Sequence, residues 1–318
     1  MAILASDPKG LELDMGLRTC IFCLLEKEES EFNEEHVFPR AIGGSFVTRA
    51  VCAACNGKLG SSVDAALTQH VAVQMRRNEL NLEGNSRTVP DPLRQGTLVQ
   101  PPYLKVGEIT TPGSEPLRIV PDVRRDSRPD GSEHILITMD ARDEDGLIAA
   151  TNKILQRKGF KPKDPEEIRS FIKRVSDPTP EVAVPVTFDL VLYKPALLKI
   201  AYELTAIWLG DAYLADPAAG EIRRTLSAAE PMKIMPTPTC LERIGRREQG
   251  ADPADGAGPN HHLACVSPVK GTITALVHVF DIFEAVIVMS ADASCYPTFT
   301  GRLLVIDAVS GTFEEKSL

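Results

Sequence analysis

The 318-residue chain is poor in aromatic residues, with one Trp, five Tyr and eleven Phe making up 5% of it. With 43% apolar residues it still has enough aliphatic material for one or two ordinary cores, which excludes a disordered or fibrous protein. No apolar run reaches the ~18 residues that a membrane helix needs. The best candidate, residues 275–289, is broken by Asp281 and Glu284. The first residues lack the continuous apolar segment of an export signal and carry Asp7, Lys9, Glu12 and Asp14 instead. A cytoplasmic, reducing location with no membrane partner is therefore expected. A net charge of −9 leaves no general cationic surface for coating nucleic acid. Seven cysteines, an odd number, fit metal ligation with some free thiols better than a disulfide framework.

Charge is unevenly distributed. Residues 1–35 carry a net charge of −6 and residues 36–100 a net charge of +3, so the sign switches at His36. Residues 89–129 hold eight prolines, a density incompatible with long helices or central strands, and read as an extended connector with short edge strands. Beyond it, residues 134–140 read as a strand and residues 143–158 as a helix. Asp164 followed by Pro165 and two acids opens another helix, residues 182–192 are β-rich, and residues 194–214 form the longest helix. The runs 263–267, 272–280, 283–290 and 301–308 are β-branched and separated by turn residues, which suggests an antiparallel sheet. Residues 250–260 read as a mobile loop. The expected division is a zinc-stapled module at 1–88, a connector at 89–129 and an α+β domain at 130–318.

The chemistry concentrates early. Cys20-Ile21-Phe22-Cys23 and Cys52-Ala53-Ala54-Cys55 are two C-x2-C pairs with 28 residues between them, and each can wrap two thiolates onto one tetrahedral ion. A redox dithiol would suit either pair alone, but two pairs this close favour structural Zn²⁺. The gap is longer than in a simple zinc ribbon, so further structure is built inside it. Cys240, Cys265 and Cys295 lack ligand spacing. His261-His262-x2-Cys265 imitates a metal site, but it sits among Gly and Pro loops.

Inside the gap stand Glu34-Glu35-His36-Val37-Phe38-Pro39 and Ala41-Ile42-Gly43-Gly44, and the second pair is followed by Asn56-Gly57-Lys58-Leu59-Gly60. This order resembles the HNH endonucleases, in particular their zinc-stapled ββα-metal branch, over about Cys20 to Leu67. The resemblance implies an α+β chain in which a small N-terminal ββα-metal module precedes a larger mixed domain. It further implies that His36 deprotonates water for attack on a phosphodiester. Glu35 and Asn56 would hold one catalytic Mg²⁺ or Mn²⁺, with the four cysteines binding a purely structural ion. Nucleic acid is then the partner, DNA rather than RNA, and bacterial or phage defence is an implied role. Arg40, Arg49 and Lys58 are candidate contacts to the phosphate backbone.

Two positions depart from that pattern. The family's middle Asn falls at Val47 or Thr48, where only Thr48 offers a hydroxyl. Glu35 and His36 are adjacent, so on a regular strand they point to opposite faces, and Glu34 is the alternative ligand. Leu59, Val63, Ala66 and Leu67 recur at helical spacing as a core-facing stripe, and Asp64 reads as a solvated helix acid rather than a site residue. The rival reading is a non-catalytic zinc adaptor, which would need none of Glu35, His36 and Asn56. On the nuclease reading the acidic excess beyond residue 100 suits substrate selection or gating, with an activating ligand or protein docking on the C-terminal domain. A fragment of residues 1–100 is expected to keep zinc and to cut with less selectivity.

Overall fold

The computed structural model describes residues 17–84, 86–100, 103–107, 117–127, 129–130, 133–175, 180–228, 240–244 and 258–318. Contacts cluster into two units, one formed by Met1–Pro90 with Phe188–Leu318 and the other by Asp91–Thr187. It is a mixed helix and sheet protein whose sheets are antiparallel. Among the described residues, no helix is long and apolar enough to cross a membrane. Most of the expected loop, residues 250–257, lies outside the described residues.

In the first unit, β1 (Leu17–Thr19) and β2 (Glu26–Glu28) pair on either side of the first cysteine pair. β3 (Glu35–His36) and β4 (Val47–Thr48) form a short ladder, with Glu35 opposite Thr48 and His36 opposite Val47. α1 (Ala53–Leu59) continues through a π turn at Gly60–Asp64 into α2 (Ala65–Thr68), and α3 (Val71–Glu79) follows. Leu59, Val63 and Leu67 are buried along this helix, as their spacing predicts.

The second unit holds β5 (Gly96–Leu98), β6 (Lys105–Gly107), β7 (Arg118–Ile119), the hairpin β8 (Asp122–Ser127) with β9 (Glu133–Thr138), α4 (Glu144–Arg157), α5 (Pro165–Ser170) and β10 (Val182–Ala183). Its small sheet runs β10-β5-β6-β7, so much of the proline-rich segment expected as a connector is woven into this unit. Asp164 caps α5 as anticipated, accepting from Glu166 N at 2.8 Å. The β-rich reading of residues 182–192 holds for two residues only. Pro185 supplies no amide, and Asp189 Oδ1 accepts from the amides of Val191 and Leu192, which turns the chain instead.

The first unit is completed by α6 (Lys194–Leu209), α7 (Asp211–Leu214), α8 (Pro217–Ser227) and a six-stranded sheet. The strands are β11 (Cys240–Ile244), β12 (His261–Val269), β13 (Thr272–Val279), β14 (Phe283–Ser290), β15 (Arg302–Asp307) and β16 (Phe313–Ser317), ordered β11-β14-β13-β12-β15-β16. The long helix ends five residues earlier than its apolar pattern suggests, because Gly210 turns into a positive φ of 69°. It is buried continuously from Pro195 to Ala206 rather than along one stripe.

One hydrophobic core joins Phe38, Ile42 and Leu67 to Tyr202 and Leu204 of α6 and to Val266, Val277 and Leu304 of the sheet. Polar ties follow the same route. The Tyr202 hydroxyl donates to the carbonyl of Ile21, between the first two cysteines, and its ring lies 5.0 Å from that of Phe22. His262 bonds the Ile42 carbonyl through Nε2 at 2.8 Å, accepts from Phe280 N at Nδ1 at 3.3 Å, and stacks on Phe38. Burial pushes its pKa down to about 4, so the ring is neutral and both nitrogens are committed. His262 is therefore a core residue and not a metal ligand. Gly43 has a φ of 86°, and a Cβ there would stand 2.3 Å from the Ala308 carbonyl oxygen at the end of β15, which explains the first glycine of the Gly-Gly pair. Gly44 is pressed as closely on the Phe38 carbonyl.

Residues 130–318, expected as one domain, thus contribute to both units, and residues 17–90 share their core with the C-terminal helix and sheet. From this packing we expect the N-terminal segment not to fold as an autonomous fragment. A chain cut after Pro90 should show no cooperative thermal transition, even with zinc supplied, because the partners of Phe38, Ile42 and Ile21 are gone. A sharp transition and dispersed amide resonances from that fragment would contradict the shared core.

Candidate catalytic centre and cysteine cluster

The four sulfur atoms of Cys20, Cys23, Cys52 and Cys55 lie within 4.8 Å of one another. The first pair sits in the turn between β1 and β2, and the second opens α1, with Cys52 as its N-terminal cap. Cys52 N also donates to Cys20 Sγ at 3.3 Å, a bond suited to a sulfur bearing negative charge. Burial pushes the thiols of Cys20 and Cys55 up, and a bound dication would reverse that by stabilising the thiolates. The donor set is compatible with structural zinc.

β3 divides its two residues between two environments. Glu35 is 3% exposed and turns inward, whereas His36 is half-buried. Among the described residues no hydrogen bond reaches the His36 ring, which leaves its nitrogens open to water and a phosphate. Partial burial, and then the charge of Arg40, hold the His36 pKa below its ordinary value against the opposing pull of Glu34. The shift favours the neutral imidazole.

Glu35 meets a lysine from α6. Lys199 is fully buried and donates to Glu35 Oε1 and, at 3.1 Å, to Asp64 Oδ2, with Glu203 Oε1 3.5 Å away. Burial pulls the pKa of this ammonium down, but the charges of Glu203, Asp64 and Glu35 outweigh it and hold the pKa above the ordinary value. Burial in turn pushes Glu35 and Asp64 up while Lys199 pulls them back. Glu203 is wholly buried, neither of its oxygens has a hydrogen-bond partner among the described residues, and its pKa is raised well above the ordinary value. Asp64 is aimed at Lys199 from the π turn, a local widening of the helix often found at functional sites. The reading of Asp64 as a solvated helix acid is thereby corrected.

Asn56 reaches back to the strand. Its amide nitrogen donates to Asn33 Oδ1 at 3.0 Å and to the Glu34 carbonyl at 3.1 Å, and among the described residues no hydrogen bond reaches its Oδ1. Glu35 and Asn56 Oδ1 offer oxygen atoms of the kind a hard divalent cation would take. Thr48 Oγ1 accepts from Ala50 N, so it braces its own turn rather than His36. Of the candidate phosphate contacts, Arg40 is exposed and its charge is felt at His36. Arg49 lies 3.9 Å from Glu34, and Lys58 donates to the Ser227 carbonyl at the end of α8 at 2.8 Å. Sequence reading missed Lys199, Glu203 and Asn33. A lysine and glutamate four apart inside an otherwise apolar helix was the available signal for the first two.

With this geometry in view, comparison with known proteins is informative in one respect. Residues 20–72 match the family model of the HNH endonucleases, so this segment is similar to an HNH endonuclease domain, which points to a nuclease and to nucleic acid as its substrate. No curated protein and no solved structure matches the chain.

Removing one partner of a buried ion pair leaves the others uncompensated, so Lys199→Met should destabilise the first unit by about 3–5 kcal/mol in urea unfolding. Glu203→Met, which removes a buried carboxyl without a hydrogen bond, should cost far less. Equal stability of Lys199→Met and wild type would refute the anchoring role of this lysine.

Proposed function

We propose that the protein is a metal-dependent endonuclease that hydrolyses phosphodiester bonds, with DNA as its substrate and His36 as the general base. The observation that carries this reading is His36, half-buried next to Glu35 on β3, with no hydrogen bond to its ring among the described residues and a pKa held below the ordinary value by partial burial. A ring nitrogen of His36 takes the proton of the attacking water, and partial burial keeps that nitrogen unprotonated beforehand. A Mg²⁺ or Mn²⁺ ion, when held by Glu35 and Asn56 Oδ1, supplies positive charge to the scissile phosphate and its leaving oxygen. Arg40 and Arg49 steady the neighbouring backbone, and such contacts carry no base information. Lys58 serves as a tie to α8 more than as a phosphate contact.

Substrate choice then falls to other parts of the chain, and the unit formed by Asp91–Thr187 is our candidate for selecting substrate or an activating partner. We place the protein in the cytoplasm, where the four thiols would remain reduced. A role in bacterial or phage defence is consistent with an endonuclease of this kind.

His36→Ala in the full chain should lower cleavage of plasmid, linear DNA, single strands and RNA by ~10²–10⁴-fold, the usual loss for a general base. Zinc content and thermal midpoint should stay at the wild-type values, because the imidazole touches neither the cysteines nor the core. Wild-type cleavage by His36→Ala on every substrate would overturn the mechanism and favour the adaptor reading.

A further inference from the structure

Asn56 is the one candidate ligand whose chemistry depends on which way its side chain is turned, because an amide presents oxygen on one edge and N–H on the other. Its atom 3.1 Å from the Glu34 oxygen faces a main-chain carbonyl, which only accepts, so that atom is the nitrogen. The second contact of the same nitrogen, at 3.0 Å, is to the side-chain oxygen of Asn33. The Asn56 oxygen is thereby turned away from Asn33, over Gly60, where a Cβ would stand 4.0 Å from it. Turned the other way, the amide would aim two N–H groups at any cation and repel it.

Asn33 is delivered to this spot by the fold. An isolated antiparallel bridge pairs Phe32 with Cys52, the cap of α1, and so lays the chain after Phe32 alongside the first helical turn. Asn33 is exposed, and its pairing with Asn56 crosses between the strand side and the helix side of the ββα arrangement. An exposed asparagine contributes little to the core, whereas its oxygen gives the Asn56 amide a second acceptor beside the Glu34 carbonyl, so that turning the amide over would break two hydrogen bonds instead of one.

We propose that Asn33 is a positioning residue that locks the Asn56 amide with its oxygen toward the catalytic cation. The proposal rests on the nuclease reading, and Asn33 acts through Asn56, without touching substrate or ion.

The test is Mn²⁺ titration of the zinc-loaded full chain, followed by the electron paramagnetic resonance signal of free Mn²⁺, with cleavage measured in parallel. Asn33→Ala should raise the Mn²⁺ dissociation constant ~10-fold, at the low end of what loss of a partner behind a metal ligand costs. Its cleavage should approach the wild-type rate once Mn²⁺ is raised to saturation. Asn33→Asp, which keeps an acceptor oxygen at the same place, should restore affinity to wild type or better. Zinc content and thermal midpoint should be unchanged in both variants. Unchanged Mn²⁺ affinity in Asn33→Ala, failure of Asn33→Asp to rescue it, or loss of zinc from Asn33→Ala would each overturn the proposal. A wild-type chain that binds Mn²⁺ but whose cleavage survives His36→Ala would instead defeat the nuclease reading alone, and a wild-type chain that binds no Mn²⁺ would defeat both.

Discussion

Lys199 is a fully buried ammonium ringed by the carboxyl groups of Glu35, Asp64 and Glu203, and the candidate centre depends on it. Isolated burial of any one of these charges would cost several kcal/mol, so none of them has a stable place in the core without the others. The lysine and Glu203 lie four residues apart on α6, while Glu35 and Asp64 come from β3 and the π turn after α1. The contact is thus the point at which a segment more than 130 residues downstream fixes the strand that carries His36. It holds Glu35 by one oxygen and sets the facing of the adjacent histidine, because neighbours on a strand take opposite sides.

Around this anchor the other ties follow the same logic. The cysteine cluster is stapled to α6 through Tyr202 and the Ile21 carbonyl, and Arg223 donates to the same hydroxyl at 3.1 Å. The turn carrying Arg40 and Gly43 is clamped by His262 and by the Ala308 backbone. The ββα element is too small to bury a core of its own, and the C-terminal sheet supplies the missing apolar surface. The sequence match ends at residue 72, whereas the contact unit that holds it also includes residues 188–318.

What could be read from the sequence follows from local physics. Two C-x2-C pairs bring four sulfurs together whatever surrounds them, and the alternation in residues 261–290 specifies strands through its own period. The Asp164-Pro165 cap and the Leu59, Val63 and Leu67 stripe are equally local, and all three leucine and valine positions are buried. The less legible features are long-range. Lys199 sits 164 residues from Glu35, and no spacing rule links them. Asp64 looks solvated until the π turn re-aims it, and Lys58 looks free until α8 ends beside it. The grouping of residues 188–318 with 17–90 rests on side-chain packing at His262, Gly43 and Tyr202, positions that composition treats as ordinary.

The central claim is that the candidate centre and the C-terminal helix and sheet open as one cooperative unit. Native-state hydrogen exchange over a rising denaturant series tests it directly, by comparing the Val37 amide, bonded to the Phe46 carbonyl at 3.2 Å, with amides in the middle of α6 such as that of Leu204. The two should converge on a single opening free energy and a single denaturant dependence. A distinct, lower-energy opening that exposes Val37 while α6 stays protected would contradict the account and restore an independent N-terminal domain.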